Sequence, residues 1–271
     1  MALTDFQRRI LRHLAVNRSA SSYVAGGVVL NKDWPRLSDD IDIFHDTDEE
    51  IGSAADRDMA VLLDAGLNVR VDVDVYGVVE ASVSDAADHA QIQWMSESRR
   101  RFLPLIRDAE WGARLMPADL AVNKVLAAAT RTKARDFIDL VSIGTYLCPL
   151  GPIVMAAAGK PPFYSPQRLI DEIRRRSMSI WDEDYLSVRG VPTKWTPAEI
   201  RNSVARLGDE AEAYIQMAPL DLVGRLAIGN DCVPLEISSI DQSGFQLRAP
   251  TEEPDAIPEF KDTVSFAPPK S

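Results

Sequence analysis

Apolar and polar residues recur along the chain with two different periods, and the change of period divides it. Thr4 and Asp5 cap a predicted helix reaching about residue 16, with Phe6, Ile10, Leu11 and Leu14 as its apolar stripe. Residues 23–30 read as a strand that contains Gly26 and Gly27, residues 31–37 as a loop marked by Pro35, and residues 38–44 as a second strand. Thr47 with Glu50 has the form of a capping box, which starts a helix ending near Gly66. In residues 68–76, Val69, Val71, Val73 and Val75 alternate with Arg70, Asp72 and Asp74, placing valines on one face and charges on the other. Residues 78–83 and 89–95 form two more predicted strands.

Beyond Pro117 the helical period takes over. Residues 118–131 and 133–144 are predicted helices, as are 166–176 behind Ser165, 197–216 behind Thr196, and 220–228. The pattern predicts an α/β (α+β) chain. A small mixed-sheet domain spans residues 1–115, a helical domain 116–230, and a partly disordered extension 231–271. That extension carries Pro250, Pro254, Pro258, Pro268 and Pro269, with a small hairpin predicted within 235–247.

Composition narrows the function classes. A formal charge of −11 over 271 residues argues against non-specific coating of nucleic acid, since phosphate affinity comes from Lys and Arg. A local positive track remains open to Arg99, Arg100, Arg101 and Arg107 with the basic residues of 131–135, whereas Arg174, Arg175 and Arg176 read as solvated helix charge. Two cysteines, Cys148 and Cys232, are too few for a thiolate metal site, and His13, His45 and His89 lack ligand spacing. Trp181 and Trp195 read as packing residues. The absence of a leader-like apolar segment at residues 1–16 and of any membrane-length apolar run gives a soluble, cytoplasmic protein with no membrane partner as the expectation.

The candidate chemistry lies in Asp40-Ile41-Asp42-Ile43-Phe44, one loop after the glycine pair. On a strand, Asp40 and Asp42 share one face and Ile41 and Ile43 the other. Two carboxylates on one face repel unless a cation sits between them, and a hard divalent ion suits oxygen ligands. Glycines let backbone N–H groups approach a phosphate. Asp39 falls on the isoleucine face by parity and is expected at the strand entrance, outside the ligand set.

Gly26-Gly27 with Arg36-Leu37-Ser38-Asp39-Asp40-Ile41-Asp42-Ile43-Phe44 resembles the signature of the DNA-polymerase-β-like nucleotidyltransferase superfamily, and more closely its AbiEii/AbiGii-type toxins. Asp119-Leu120-Ala121-Val122-Asn123-Lys124 is similar to that family's lysine-bearing helix, and Ala134-Arg135-Asp136-Phe137-Ile138-Asp139-Leu140 to its Arg-Asp-x-x-Asp-Leu helix. The resemblance covers about residues 20–145. It implies Mg²⁺ (or Mn²⁺) held by Asp40 and Asp42, with NTP as substrate and catalytic roles for Lys124 and Asp136. It further implies nucleotide contacts from Gly26, Gly27, Arg36, Ser38, Arg135 and Asp139. A tRNA 3′ end is the implied acceptor and an antitoxin the implied partner; a small molecule or a protein hydroxyl is the alternative acceptor, and an NTP-binding regulatory module the alternative role.

On their own spacing, Lys124, Ala128 and Arg131 share a face apart from the apolar stripe. Arg135, Asp136 and Asp139 fall outside the inward stripe of the next helix, with Arg135 and Asp139 spaced as an i,i+4 pair. A third carboxylate is usual in the superfamily. Asp72 and Asp74 share the polar face of one strand and either could serve, with Asp74 placed in the ligand set; the strand before the helical half offers Gln91, Gln93 and Glu97, and if Gln93 takes the place the third ligand is missing or supplied by Asp136 or Asp139.

Overall fold

The protein is described from a computed structural model covering residues 3–241, 243–252 and the short strand at 260–261. It divides into two compact units, one of residues 3–99, 104–116 and 260–261, the other of 100–103 and 117–252.

The first unit is built on a mixed sheet. Its strands are β1 (Ser22–Ala25), β2 (Asp40–His45), β3 (Asn68–Val75), β4 (Val78–Ser84), β5 (His89–Ser96), β6 (Leu105–Asp108) and β7 (Gly112–Arg114). A two-residue strand, Phe260–Lys261, is β10 in chain order, and the sheet runs β10-β6-β7-β1-β2-β5-β4-β3. β2 lies antiparallel to β1 and parallel to β5, and β4 is antiparallel to both of its neighbours. Helices α1 (Asp5–Leu14) and α3 (Ile51–Asp64) pack on the β3–β5 side, over the face that carries Ile41, Ile43, Ala81, Ile92 and Trp94, all fully buried. Thr4 caps α1 in a reciprocal box with Gln7, as the sequence predicts from Thr4.

Four expectations are corrected here. The glycine pair does not lie within a strand: β1 ends at Ala25, and Gly26, at φ +69°, opens the short helix α2 (Gly26–Leu30). That left-handed backbone ends the strand at a residue without a Cβ penalty. The Thr47–Glu50 box does not form; α3 begins after Glu50 with no side-chain cap. The clean alternation of β3 is broken by a bulge between Val71 and Val73, which reverses its later parity. Residues 220–228 are not a helix but a 3₁₀ turn, Leu220–Leu222, followed by strand β8 (Leu226–Ile228).

α3 buries Ile51, Ala54, Ala55 and Leu62 and, in the same stripe, Asp58. The Asp58 carboxylate accepts from Arg18 Nη2 at 2.6 Å, Asn17 Nδ2 at 2.8 Å and Trp94 Nε1 at 2.7 Å, and both ends of the Arg18–Asp58 pair are buried. His45 lies in this region with both ring nitrogens buried and without a protein hydrogen-bond partner. Burial first, and the Arg18 and Arg57 charges with it, hold the imidazole down to about 4 against the opposing pull of Asp58. The unfolded chain, with an ordinary value of 6.5, therefore takes up a proton that the folded chain refuses. The stability held by neutral His45 is complete above pH 6.5 and falls as pH drops towards 4, by up to about 3 kcal/mol at 1.36 kcal/mol per unit. Urea unfolding across pH 4–7 is expected to show this slope, and His45→Gln to flatten it.

The second unit is helical: α4 (Pro117–Thr130), α5 (Ala134–Tyr146), α6 (Leu150–Ala157), α7 (Pro166–Met178), α8 (Asp182–Ser187) and α9 (Pro197–Met217). α4 packs on α5, α6 and α7, and α9 on the same three. Ser165 and Thr196 cap α7 and α9, each followed by Pro at the first helical position. β8 pairs antiparallel with β9 (Gln246–Arg248), so this small sheet takes its first strand from upstream of the predicted 235–247 hairpin, which the described residues do not form. Trp181 is 76% exposed and does not pack as expected, while Trp195 stacks on Tyr146 with ring centroids 6.3 Å apart. Arg174, Arg175 and Arg176 are paired with Glu172, Asp209 and Glu212 on α7 and α9. Pro254, Pro258, Pro268 and Pro269, to which the expected disordered extension extends, lie outside the described residues. No helix among the described residues is long and apolar enough to cross a membrane.

Candidate active site

The glycine pair, Arg36, Ser38 and Asp42 meet in the first unit. Ala25 is paired with Asp42 across β1 and β2, so the next residue, Gly26, lies under the Asp42 side chain. A methyl group at position 26 would overlap the Asp42 carboxylate, and one at position 27 would overlap the Arg36 guanidinium and press on the Ser38 hydroxyl. Each glycine thus clears the space in which a polar group of the motif stands. Asp40 and Asp42 are half-buried on one face of β2, and Ile41 and Ile43 are fully buried on the other. Asp39 precedes the strand, at its entrance as expected, and is exposed.

The loop between α2 and β2 is fixed from several sides. Gln7, buried in α1, donates from Nε2 to the Ser38 carbonyl at 2.9 Å, while its Oε1 accepts from the Thr4 N–H at 3.0 Å. Asn31 donates to the Gly27 carbonyl at 3.1 Å. Arg36, 2% exposed, donates from Nη1 to the Leu37 carbonyl at 2.8 Å, and the Ser38 hydroxyl donates to the Asp40 carbonyl at 3.1 Å. The amides Gln7 and Asn31 escaped the sequence reading. Gln7 left a signal in its spacing from Thr4; Asn31 left none.

Asp74 does not join Asp40 and Asp42. β3 lies three places from β2 in the sheet, about 14 Å at the usual strand spacing. Past the bulge Asp74 pairs with Val79, which pairs with Trp94, itself the partner of Ile43: the row belongs to the opposite face. Asp72, at the bulge, is bonded by Arg70 and Ser82. The residue beside Asp42 is Gln93, and beside Gln93 stands Glu80, which the sequence reading did not single out. No group of three or more His, Cys, Asp or Glu arranged for a metal occurs among the described residues. Asp40 and Asp42 share one face of β2, with the Asp42 carboxylate standing in the space that Gly26 leaves, and the chemistry of two carboxylate donors suits a hard cation.

Within the helical unit, Lys124 on α4 and Arg131, one residue past the end of α4, meet the acids of α5; the helix predicted to include Arg131 stops at Thr130. Lys124 Nζ lies 2.7 Å from Asp139 Oδ2 and 3.3 Å from Asp136 Oδ1, and Arg131 grips Asp136 through Nε at 2.7 Å and Nη2 at 2.9 Å. Asp136 and Asp139 are fully buried, which corrects their placement outside the inward stripe. Burial alone would push the Asp136 carboxyl up, but the Arg131 hydrogen bonds and the charges of Lys124 and Arg131 outweigh it and hold the group below the ordinary carboxylate range. Lys124 is therefore held between two carboxylates. Arg135 is half-buried on the same helix. Asp119, also fully buried, accepts from the N–H groups of Phe102 and Leu103 at 3.0 and 3.1 Å, tying residues 100–103 to α4.

No protein-family model and no curated protein matches the sequence. Among solved structures the chain is similar to MenT4, a nucleotidyltransferase toxin from Mycobacterium tuberculosis H37Rv, at 16% identity and a TM-score of 0.51, over 75% of this chain and 82% of that one. JHP933 from Helicobacter pylori aligns over 79% of this chain and 97% of its own, at 15% identity and a TM-score of 0.47. The mixed sheet followed by helices is thus a fold shared with MenT4, and the expected α/β (α+β) class holds.

Proposed function

We propose that the chain is a Mg²⁺-dependent nucleotidyltransferase of the AbiEii/AbiGii type, moving a nucleoside monophosphate from an NTP to an acceptor hydroxyl, with a tRNA 3′ end as acceptor and an antitoxin protein as partner. The observation that carries this reading is the fit of Asp42 over Gly26 and of Arg36 and Ser38 over Gly27, beside Asp40 on the same strand face. The fold shared with MenT4 supports it.

Asp40 and Asp42 would hold the cation, whose positive charge, when bound, offsets that of the triphosphate. The residues of this chain then have positioning roles. Arg36 and Ser38, with the Gly27 backbone N–H, would face the phosphates; Gln7 and Asn31 keep that loop from moving. The acceptor hydroxyl oxygen attacks the α-phosphorus in line, the bond to the β-phosphate oxygen breaks, pyrophosphate leaves and the hydroxyl proton is released. Little covalent chemistry is asked of the protein, and orientation with charge neutralisation supplies the rate. The resemblance would give Lys124 and Asp136 catalytic roles, and Arg135 and Asp139 nucleotide contacts.

The full chain, incubated with Mg²⁺, each α-labelled NTP in turn and total tRNA, is expected to transfer label to RNA and release pyrophosphate in equal amount. Label in protein or in a small-molecule fraction would replace the acceptor assignment. Mg²⁺-dependent NTP binding without pyrophosphate release would instead favour the regulatory module.

A further inference from the structure

Asp42, Gln93 and Glu80 form one row across β2, β5 and β4, on one face of the sheet, about 4.8 Å per step. Gln93 is flanked by Asp42 on one side and Glu80 on the other. Its amide nitrogen donates to the Glu80 carboxylate. An ionised carboxylate only accepts, so this bond decides which way the amide stands: the NH₂ group is held towards β4, and the carbonyl oxygen Oε1 is left for the side of β2. Without Glu80, the carboxylate beside the amide would be that of Asp42, which favours the opposite orientation, with the NH₂ group towards β2.

We propose that the Gln93 carbonyl oxygen is the third protein oxygen of the Asp40–Asp42 cation site, and that Glu80 is a positioning residue acting through it. The proposal rests on reading the aspartate pair as a divalent-cation site. Amide carbonyl oxygens are ordinary ligands of hard cations. A neutral third ligand leaves the site with two negative charges where three carboxylates would give three. Such a site has less internal repulsion when empty and a weaker grip on the bare ion.

The test uses Mn²⁺ alone, titrated into the full chain and followed by water-proton relaxation, with thermal melts alongside to show that each variant is folded. Wild type is expected to bind saturably and Asp42→Ala to lose that binding. Gln93→Ala should bind about tenfold more weakly, and Gln93→Glu about tenfold more tightly, because it adds the missing charge. Glu80→Gln should weaken binding about threefold, since a second amide can donate or accept and no longer dictates the orientation of Gln93. Wild-type affinity in both Gln93 variants, with binding lost in Asp42→Ala, would overturn the role of Gln93 and leave the aspartate pair standing. Unchanged affinity in Glu80→Gln alone would remove the positioning role. Binding that survives Asp42→Ala would sink the cation site itself, and with it this proposal.

Discussion

Asp42→Ala lowers nucleotidyl transfer by about 1,000-fold or more while shifting the thermal midpoint by only a few degrees, measured as label incorporated under Mg²⁺ and by calorimetry. The two halves of that expectation come from different facts. Asp42 is half-buried on the polar face of β2, and the core beneath that strand is made by Ile41 and Ile43, which the substitution leaves alone. The carboxylate is also the group for which position 26 is kept free of a side chain, so the local backbone is organised around it. Asp42→Asn separates charge from shape: it fills the same space, and a loss equal to that of the alanine variant assigns the effect to the negative charge. Transfer within tenfold of wild type in the alanine variant would remove Asp42 from the reaction, and in the asparagine variant alone would assign its role to shape and not to charge.

What could be read in advance follows from how local each signal is. Capped helices are written in adjacent residues, so α1, α7 and α9 were found with their caps, and β4 and β5 each run one residue beyond their expected ends. The polar motif was legible for the same reason, since Asp40 and Asp42 need only a strand to share a face. The glycine pair was harder. Whether Gly26 continues a strand or turns into a helix depends on the carboxylate lying over it from the neighbouring strand. α6 went unread because its sequence, LGPIVMAA, is buried on every side and carries no amphipathic period. Asp74 was misplaced by one extra residue in β3, which no alternation pattern reveals. Asp136 and Asp139 were placed outside the inward stripe of α5 because the charges that answer them, Lys124 on α4 and Arg131 in the connection between the helices, are not written in the period of α5 itself.

Asp58 is the same lesson at its largest energetic scale. It sits four residues after Ala54, in the apolar stripe of α3, where a charge is out of place unless something buried answers it. Arg18, Asn17 and Trp94 answer it, and all three donate to the one carboxylate. Asp58→Ala leaves a buried guanidinium, an amide and an indole N–H without that acceptor, so a loss of about 3–5 kcal/mol is expected, or a midpoint lower by roughly 10 °C. A cavity alone would cost less, because only a short side chain is removed. The double variant Arg18→Met, Asp58→Leu distinguishes the two causes. If the cost comes from an unanswered charge, replacing both ends with apolar groups recovers most of the stability lost by Asp58→Ala, and denaturant unfolding places the double variant above that single one. If the cost came from packing, the double variant would fall at or below Asp58→Ala, and the pair would count as filler in the core and not as the charge balance that holds α3 to the sheet.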